Sequence, residues 1–473
     1  MLMNEVVMQR LTPLAAAFLE NEDEDPTASL AIGSLAIFEG PAPSFEAFVS
    51  LIEQRLPLIP RYRHKLRTVR FDLAAPAWVD DPDFDIRWHI RNTALPAPGG
   101  PEEIGRLMSR VMTQRMDRSR PMWEYWFCEG LAGGRWALLS KLHHCMVDGV
   151  SGTDLYRLVL DASRNPTPQV VMDDTVREPA MSSLSFANRT IRDAALAPVV
   201  GLRALGDAIG SPGRLARRAG LTAKGLFAFA GALRPVTASS LNGPLDASRR
   251  YAWTSVAMAD ILSVRHRLGG TVNDVALAAV TGGFRQLLLS RGEQPTAHML
   301  RSLVPVSTRD PGAESIPDNR VSLMLPFLPV DVPDARERLA AVQAAISSVR
   351  SSGEPVAGDS LTTAAAYGPF APVSLGMRLG MHLSQHVVST VTTNVPGPRT
   401  AFYALGRELE EILPYVPIAN RVRIGVAMFS YCGALVFGIT GDYPSVPDIQ
   451  TLADGISSSM AELVEIAERS QVS

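Results

Sequence analysis

Short apolar segments of strand character alternate with segments of helical period along two stretches of this chain, one before Pro168 and one after Leu241. Strands interleaved with helices predict α/β layers with mixed sheets. In the first stretch Leu30–Phe38 reads as a strand bounded by acidic and Gly/Pro residues. Glu102–Met116 places Ile104, Leu107, Met108 and Val111 at helical spacing. Trp136–His144 alternates as a strand, Gly149 and Gly152 mark a turn, and Leu155–Ala162 resumes helical spacing. In the second stretch strands are predicted at Tyr251–Val256, Leu303–Val306, Val321–Phe327, Val387–Thr392, Val422–Phe429 and Leu435–Ile439. Helices are predicted at Ala259–Leu268, through Leu289 after a cap at Thr271 or Asn273, at Ala335–Val349 and at Leu361–Leu383.

Between these stretches the composition shifts to Ala, Gly, Ser and Pro. Arg189, Arg192, Arg203, Arg214, Arg217, Arg218, Lys224 and Arg234 face only Asp193 and Asp207 as opposing charges. With Leu221, Leu226, Phe227 and Phe229 nearby, this reads as a helical linker, with a basic amphipathic face on anionic lipid as the sharper alternative. The expected division is an N-terminal domain over 1–170, a helical linker over 171–241 and a C-terminal domain over 242–473, in keeping with a length of 473 residues.

A formal net charge of −3 gives no long-range attraction to nucleic acid, so no nucleic-acid partner is expected. Three cysteines, Cys128, Cys145 and Cys432, have no metal spacing, and an odd, sparse set suits a reducing compartment. Met1–Leu19 lacks the pattern of a secretory signal, and no apolar run reaches the length of a spanning helix. The expected location is therefore cytoplasmic, at most peripheral to a membrane. No Gly-x-Ser-x-Gly elbow, phosphate-binding Gly-Lys loop or His-Glu-x-x-His helix occurs, which disfavours serine hydrolase, nucleotide hydrolase and zinc peptidase.

The chemistry concentrates in His143-His144-Cys145-Met146-Val147-Asp148-Gly149. A strand end followed by a glycine turn is a rigid mount for an imidazole. Neutral imidazole at a hydroxyl can take its proton as the oxygen attacks a carbonyl, and general base help of this kind is worth about 10²–10⁴-fold. Adjacent strand residues point to opposite faces, so His143 and His144 cannot share one substrate or one metal while the backbone stays extended. One is left for chemistry and the other for local hydrogen bonding. Asp148 could orient the histidine, or pair with an arginine and shape the loop, with Arg309 as the expected partner. Cys145 reads as a small buried hydrophobe.

This His-His-x-x-x-Asp-Gly pattern is the signature of the coenzyme-A-dependent acyltransferase superfamily. The wider sequence resembles the bacterial wax ester synthase/acyl-CoA:diacylglycerol acyltransferases, and within them the mycobacterial triacylglycerol synthases. The likeness runs nearly end to end. It is carried by Leu11-Thr12-Pro13-Leu14 with Ala16, Phe18 and Leu19, by Trp78 with Asp83-Phe84-Asp85 and His89, and by Asp117-Arg118-Ser119-Arg120-Pro121-Met122-Trp123-Glu124. Val272-Asn273-Asp274-Val275, Leu303–Arg309, Asn319-Arg320-Val321-Ser322, Asn394-Val395-Pro396-Gly397-Pro398 and Ser430-Tyr431 with Gly433 continue it.

The resemblance implies two coenzyme-A-dependent acyltransferase-like lobes, with mixed sheets, a helical crossover linker and an active site in a tunnel between the lobes. It implies acyl-CoA and diacylglycerol as substrates, long-chain alcohols as further acceptors, no cofactor or metal, and a membrane or lipid-droplet surface as the working place. His143, His144 and Asp148 become the catalytic group, His144 as base and Asp148 mainly structural; Gly149, Asn273 and Asn394 become substrate-binding. By its own chemistry Asn273 reads first as a helix cap, and Asn394–Pro398 as a rigid turn after a strand. Carrier-protein-dependent condensation and a weakly catalytic lipid-droplet surface protein are the rival readings. Two departures stand out: Ala15 where many members carry aspartate, and Met122 where leucine is usual.

Overall fold

The computed structural model describes residues 9–68, 75–147, 159–166, 235–307, 321–352 and 387–470, together with Tyr156 and Phe186. The chain opens with α1 (Pro13–Glu24), β1 (Ala31–Phe38), α2 (Phe45–Arg55), β2 (His64–Arg67) and β3 (Ala77–Asp80). A single turn α3 (Ile86–His89), β4 (Ile90–Ala94), α4 (Pro101–Thr113), β5 (Trp123–Glu129) and β6 (Trp136–His143) follow. The second part runs β7 (Arg249–Ala257), α5 (Met258–Leu268), α6 (Val272–Ser290), β8 (Ser302–Ser307), β9 (Val321–Met324) and α7 (Ala335–Ser352). It ends with β10 (Thr390–Val395), β11 (Tyr403–Ala404), β12 (Arg407–Tyr415), β13 (Ile424–Tyr431), β14 (Ala434–Asp442) and α8 (Ile449–Arg469).

Two six-stranded mixed sheets form two lobes, ordered β11-β12-β1-β6-β5-β4 and β7-β14-β13-β10-β8-β9. In the first, only β4 and β5 run parallel; in the second, β10 runs parallel to both β13 and β8. All eight residues of β6 are buried, as a central strand covered on both faces requires. Sheet membership does not follow chain position. β11 and β12 come from the segment expected to form the C-terminal domain, yet β12 pairs antiparallel with β1 from Gly33–Tyr415 to Phe38–Leu409. The lobes are further joined by Tyr251, whose hydroxyl donates to the Pro414 carbonyl at 2.8 Å, and by Arg249, which donates to the Thr27 carbonyl at 2.8 Å.

Local chemistry sets the element ends. Thr12 caps α1 by accepting the Ala15 N–H at 3.2 Å. The helix expected to reach Met116 stops at Thr113, because the buried amine of Lys141 takes the terminal carbonyls of Val111 and Gln114 at 2.8 and 2.5 Å. Thr271, rather than Asn273, caps α6, in a reciprocal box with Asp274 (3.2 and 2.8 Å). Gly283 lets α6 approach α8 closely: a Cβ there would lie 2.7 Å from Ile456 Cγ1 and 3.0 Å from the Leu452 carbonyl.

Several expected boundaries move. The strand placed at Val321–Phe327 ends at Met324, shortly before Pro326, which has no N–H to give a ladder. The strand placed at Val387–Thr392 is Thr390–Val395, so Asn394 lies within it rather than in the turn beyond. The helix expected over Leu155–Ala162 has ended by Asp161, which forms a β-bridge with Tyr403. The helix expected at Leu361–Leu383 and nearly all of the linker lie outside the described residues.

Candidate active site

The strand expected to carry His144 at its end stops one residue earlier. His143 is the last residue of β6, and His144 opens a 3₁₀ turn, His144–Val147. The switch is held from β1's side: the His144 N–H donates to the Leu30 carbonyl at 3.1 Å. The His144 ring lies flat on Phe18 of α1, centroids 3.9 Å apart and planes at 26°. It keeps part of its surface open. Burial, with a smaller contribution from the His143 ring, lowers its pKa to about 4. The imidazole is therefore neutral near pH 7, the form that accepts a proton.

His143 is 1% exposed and committed to the protein. Its Nδ1 accepts the Cys145 N–H at 3.2 Å and lies 3.0 Å from Cys145 Sγ, which places the ring hydrogen on Nε2. Nε2 faces Glu22 Oε1 at 3.4 Å. Glu22, from α1, is 2% exposed, accepts the Leu30 N–H at 2.6 Å and pairs with Arg118 at 3.2 Å. Burial alone would raise its pKa, but His143, the Leu30 N–H and Arg118 outweigh it and hold the carboxyl at about 2. The Cys145 thiol is pushed far up by burial and stays protonated.

On the second lobe Asn394 of β10 donates through Nδ2 to Asn273 Oδ1 at 3.1 Å. The two residues expected to bind substrate thus form a pair, and each remains partly exposed. Val395, next to Asn394, packs against the apolar cluster that also holds Leu142, Cys145 and Met146. No hydrogen bond joins His144 to either asparagine among the described residues. Asp148, Gly149 and the suggested partner Arg309 lie outside the described residues.

Sequence reading missed Phe18, Glu22 and the Leu30 peptide as parts of the site. Phe18 and Glu22 are four apart on α1, a spacing that puts both on one helix face. That was the available signal, but Glu22 sits in the acidic run Glu20–Asp25, where nothing separates a buried carboxylate from solvated ones. Ala15 lies on the same face, 4% exposed.

The model of the wax ester synthase/diacylglycerol acyltransferase catalytic domain matches residues 11–276, and that of the family's C-terminal domain matches 318–464. A Mycobacterium tuberculosis protein named probable diacylglycerol O-acyltransferase tgs1 is 43% identical over 98% of this chain and 98% of its own. Another from that organism, also named a diacylglycerol O-acyltransferase, is 34% identical over 98% of this chain and 92% of its own. Among solved structures, the wax ester synthase/diacylglycerol acyltransferase of Marinobacter aquaeolei VT8 shares the fold with a TM-score of 0.66 at 24% identity, covering 97% of this chain and 100% of that one. The first condensation domain of the CDA synthetase shares it with a TM-score of 0.59 at 16% identity, covering 98% of this chain and 97% of that one. By both family models and by the near full-length match to the mycobacterial proteins, this chain belongs to the wax ester synthase/diacylglycerol acyltransferase family.

Proposed function

We propose that this protein transfers a long-chain acyl group from acyl-CoA to the free hydroxyl of diacylglycerol, with His144 as the general base. The observation that carries the reading is a neutral, partly open imidazole stacked on Phe18, its backbone N–H held by the Leu30 carbonyl, in a chain of this family. A ring nitrogen of His144 takes the hydroxyl proton as the oxygen bonds to the thioester carbonyl carbon. The carbon–sulfur bond then breaks, and the imidazolium returns its proton to the departing thiolate. No covalent enzyme intermediate and no cofactor enter this balance. The low basicity of His144 makes the imidazolium a strong acid, which suits protonation of the leaving sulfur.

Long-chain alcohols are the second acceptor class, supported by the wax ester synthase half of the family's description. Among the described residues no helix is long and apolar enough to cross a membrane. In this reading the lipid substrates are reached from a membrane or lipid-droplet surface. The test is His144→Ala assayed with labelled acyl-CoA against diacylglycerol, monoacylglycerol, hexadecanol and a sterol. The expected result is diacylglycerol as the preferred acceptor and a fall in kcat of about 10²–10⁴-fold in the variant. Undiminished turnover by His144→Ala would remove the base assignment.

A further inference from the structure

Glu22 holds the histidine turn by two separate handles. One carboxylate oxygen, Oε1, accepts the N–H of Leu30, and the carbonyl of that same residue accepts the His144 N–H. Oε1 also faces His143 Nε2, while His143 Nδ1 accepts the N–H of Cys145, the residue that follows His144. The peptides on either side of the His144 side chain are thus tied, through Leu30 and through His143, to one carboxylate on α1. The same helix supplies Phe18 against the His144 ring, and Arg118 donates to the other carboxylate oxygen, Glu22 Oε2, at 3.2 Å.

An isolated carboxylate with 2% exposure is costly, and a neutral residue would satisfy a mere packing requirement. A charged one whose Oε1 meets both the Leu30 N–H and His143, the two groups that hold the histidine turn, suits a positioning device, because misplacement of a base by about 1 Å can cost about 10²-fold in rate. We infer that Glu22 is a positioning residue for acyl transfer, which fixes the His144 backbone through Leu30 and the His143 ring in its Nε2–H form. The part that concerns rate rests on His144 being the base; the part that concerns His143 does not.

The experiment compares Glu22→Gln and Glu22→Ala with the full-length wild-type protein, by steady-state kinetics and by NMR with nitrogen-15 histidine. Glu22→Gln keeps shape and one acceptor oxygen but loses the charge, and its kcat is expected to fall about 10-fold with the KM for acyl-CoA within about twofold. Glu22→Ala loses both handles; kcat falls about 100-fold, and the His143 ring leaves its single Nε2–H state. If Glu22→Ala does not fold, Glu22→Gln still reports through kcat, KM and the His143 signals. His144→Ala separates the two readings: undiminished turnover in that variant removes the base assignment alone, while its His143 signals are expected to match wild type. Folded Glu22→Ala with wild-type kcat overturns the inference. So does a lowered kcat accompanied by unchanged His143 signals.

Discussion

The Phe18 ring lies parallel to the His144 ring at 3.9 Å, so a helix from the start of the chain covers one face of the candidate base. The contact excludes water from that face and leaves the ring edges to act. It also makes α1 part of the site, with Phe18 and Glu22 both on it.

The pH dependence of the free enzyme follows from the depressed basicity of His144. The base is active when neutral, so kcat/KM is expected to hold from neutral pH downward and to fall as pH drops through about 4. Stability loses ground earlier. Between the ordinary histidine value of 6.5 and about 4 the unfolded chain takes up a proton at His144 that the native state does not. The native state therefore weakens as pH falls through that window, by up to about 3 kcal/mol. Glu22, native at about 2 against the ordinary glutamate value of 4.5, adds a second loss as pH falls between those values. Urea midpoints at pH 7 and pH 5 check this: His144→Ala should show a smaller drop than wild type. Equal drops would contradict the assignment.

Phe18→Ala opens one face of the His144 ring to water. With burial as the main cause of its low basicity, the ring should become more basic, and the acid limb of kcat/KM should move up toward 6.5 by about one pH unit. The lost stack is worth about 1 kcal/mol of stability. A pH–rate profile with an unmoved acid limb would show that the stack does not set the basicity of the ring.

Gly283→Ala tests the packing of the second lobe away from the site. The added methyl meets Ile456 Cγ1 at 2.7 Å and backbone atoms of α8 at 3.0 Å, so one helix has to shift. Calorimetry should show a lower Tm, equivalent to about 1–3 kcal/mol, with turnover per folded molecule unchanged. A wild-type Tm would mean the helices move apart freely.

Much of this architecture could be read from periodicity. Central strands such as Trp136–His143 and Ala434–Asp442 announce themselves by apolar runs, and helices such as Met258–Leu268 by their spacing. Arg407–Tyr415 escaped because its first half, Arg-Glu-Leu-Glu-Glu, looks like a solvated helix face, and only its pairing with β1 explains it. Ile449–Arg469 went unmarked for want of a clear cap; Asp448 makes no capping hydrogen bond, its carboxylate being taken by Arg291. In the site, His143 and His144 were visible as a motif and Asn273 and Asn394 through family likeness. Their pairing with each other was not, since nothing local ties residues 121 positions apart.

Strand β12 reaches back from the last quarter of the chain to lie beside β1. During synthesis the first sheet therefore stays unfinished, with one flank of β1 open, until Tyr415 has left the ribosome. The histidine turn at the far end of β6 is made early, but the sheet that steadies it closes late. A nascent chain halted before β12 would carry the motif without the finished frame around it, and an exposed strand edge ready to pair with a neighbour.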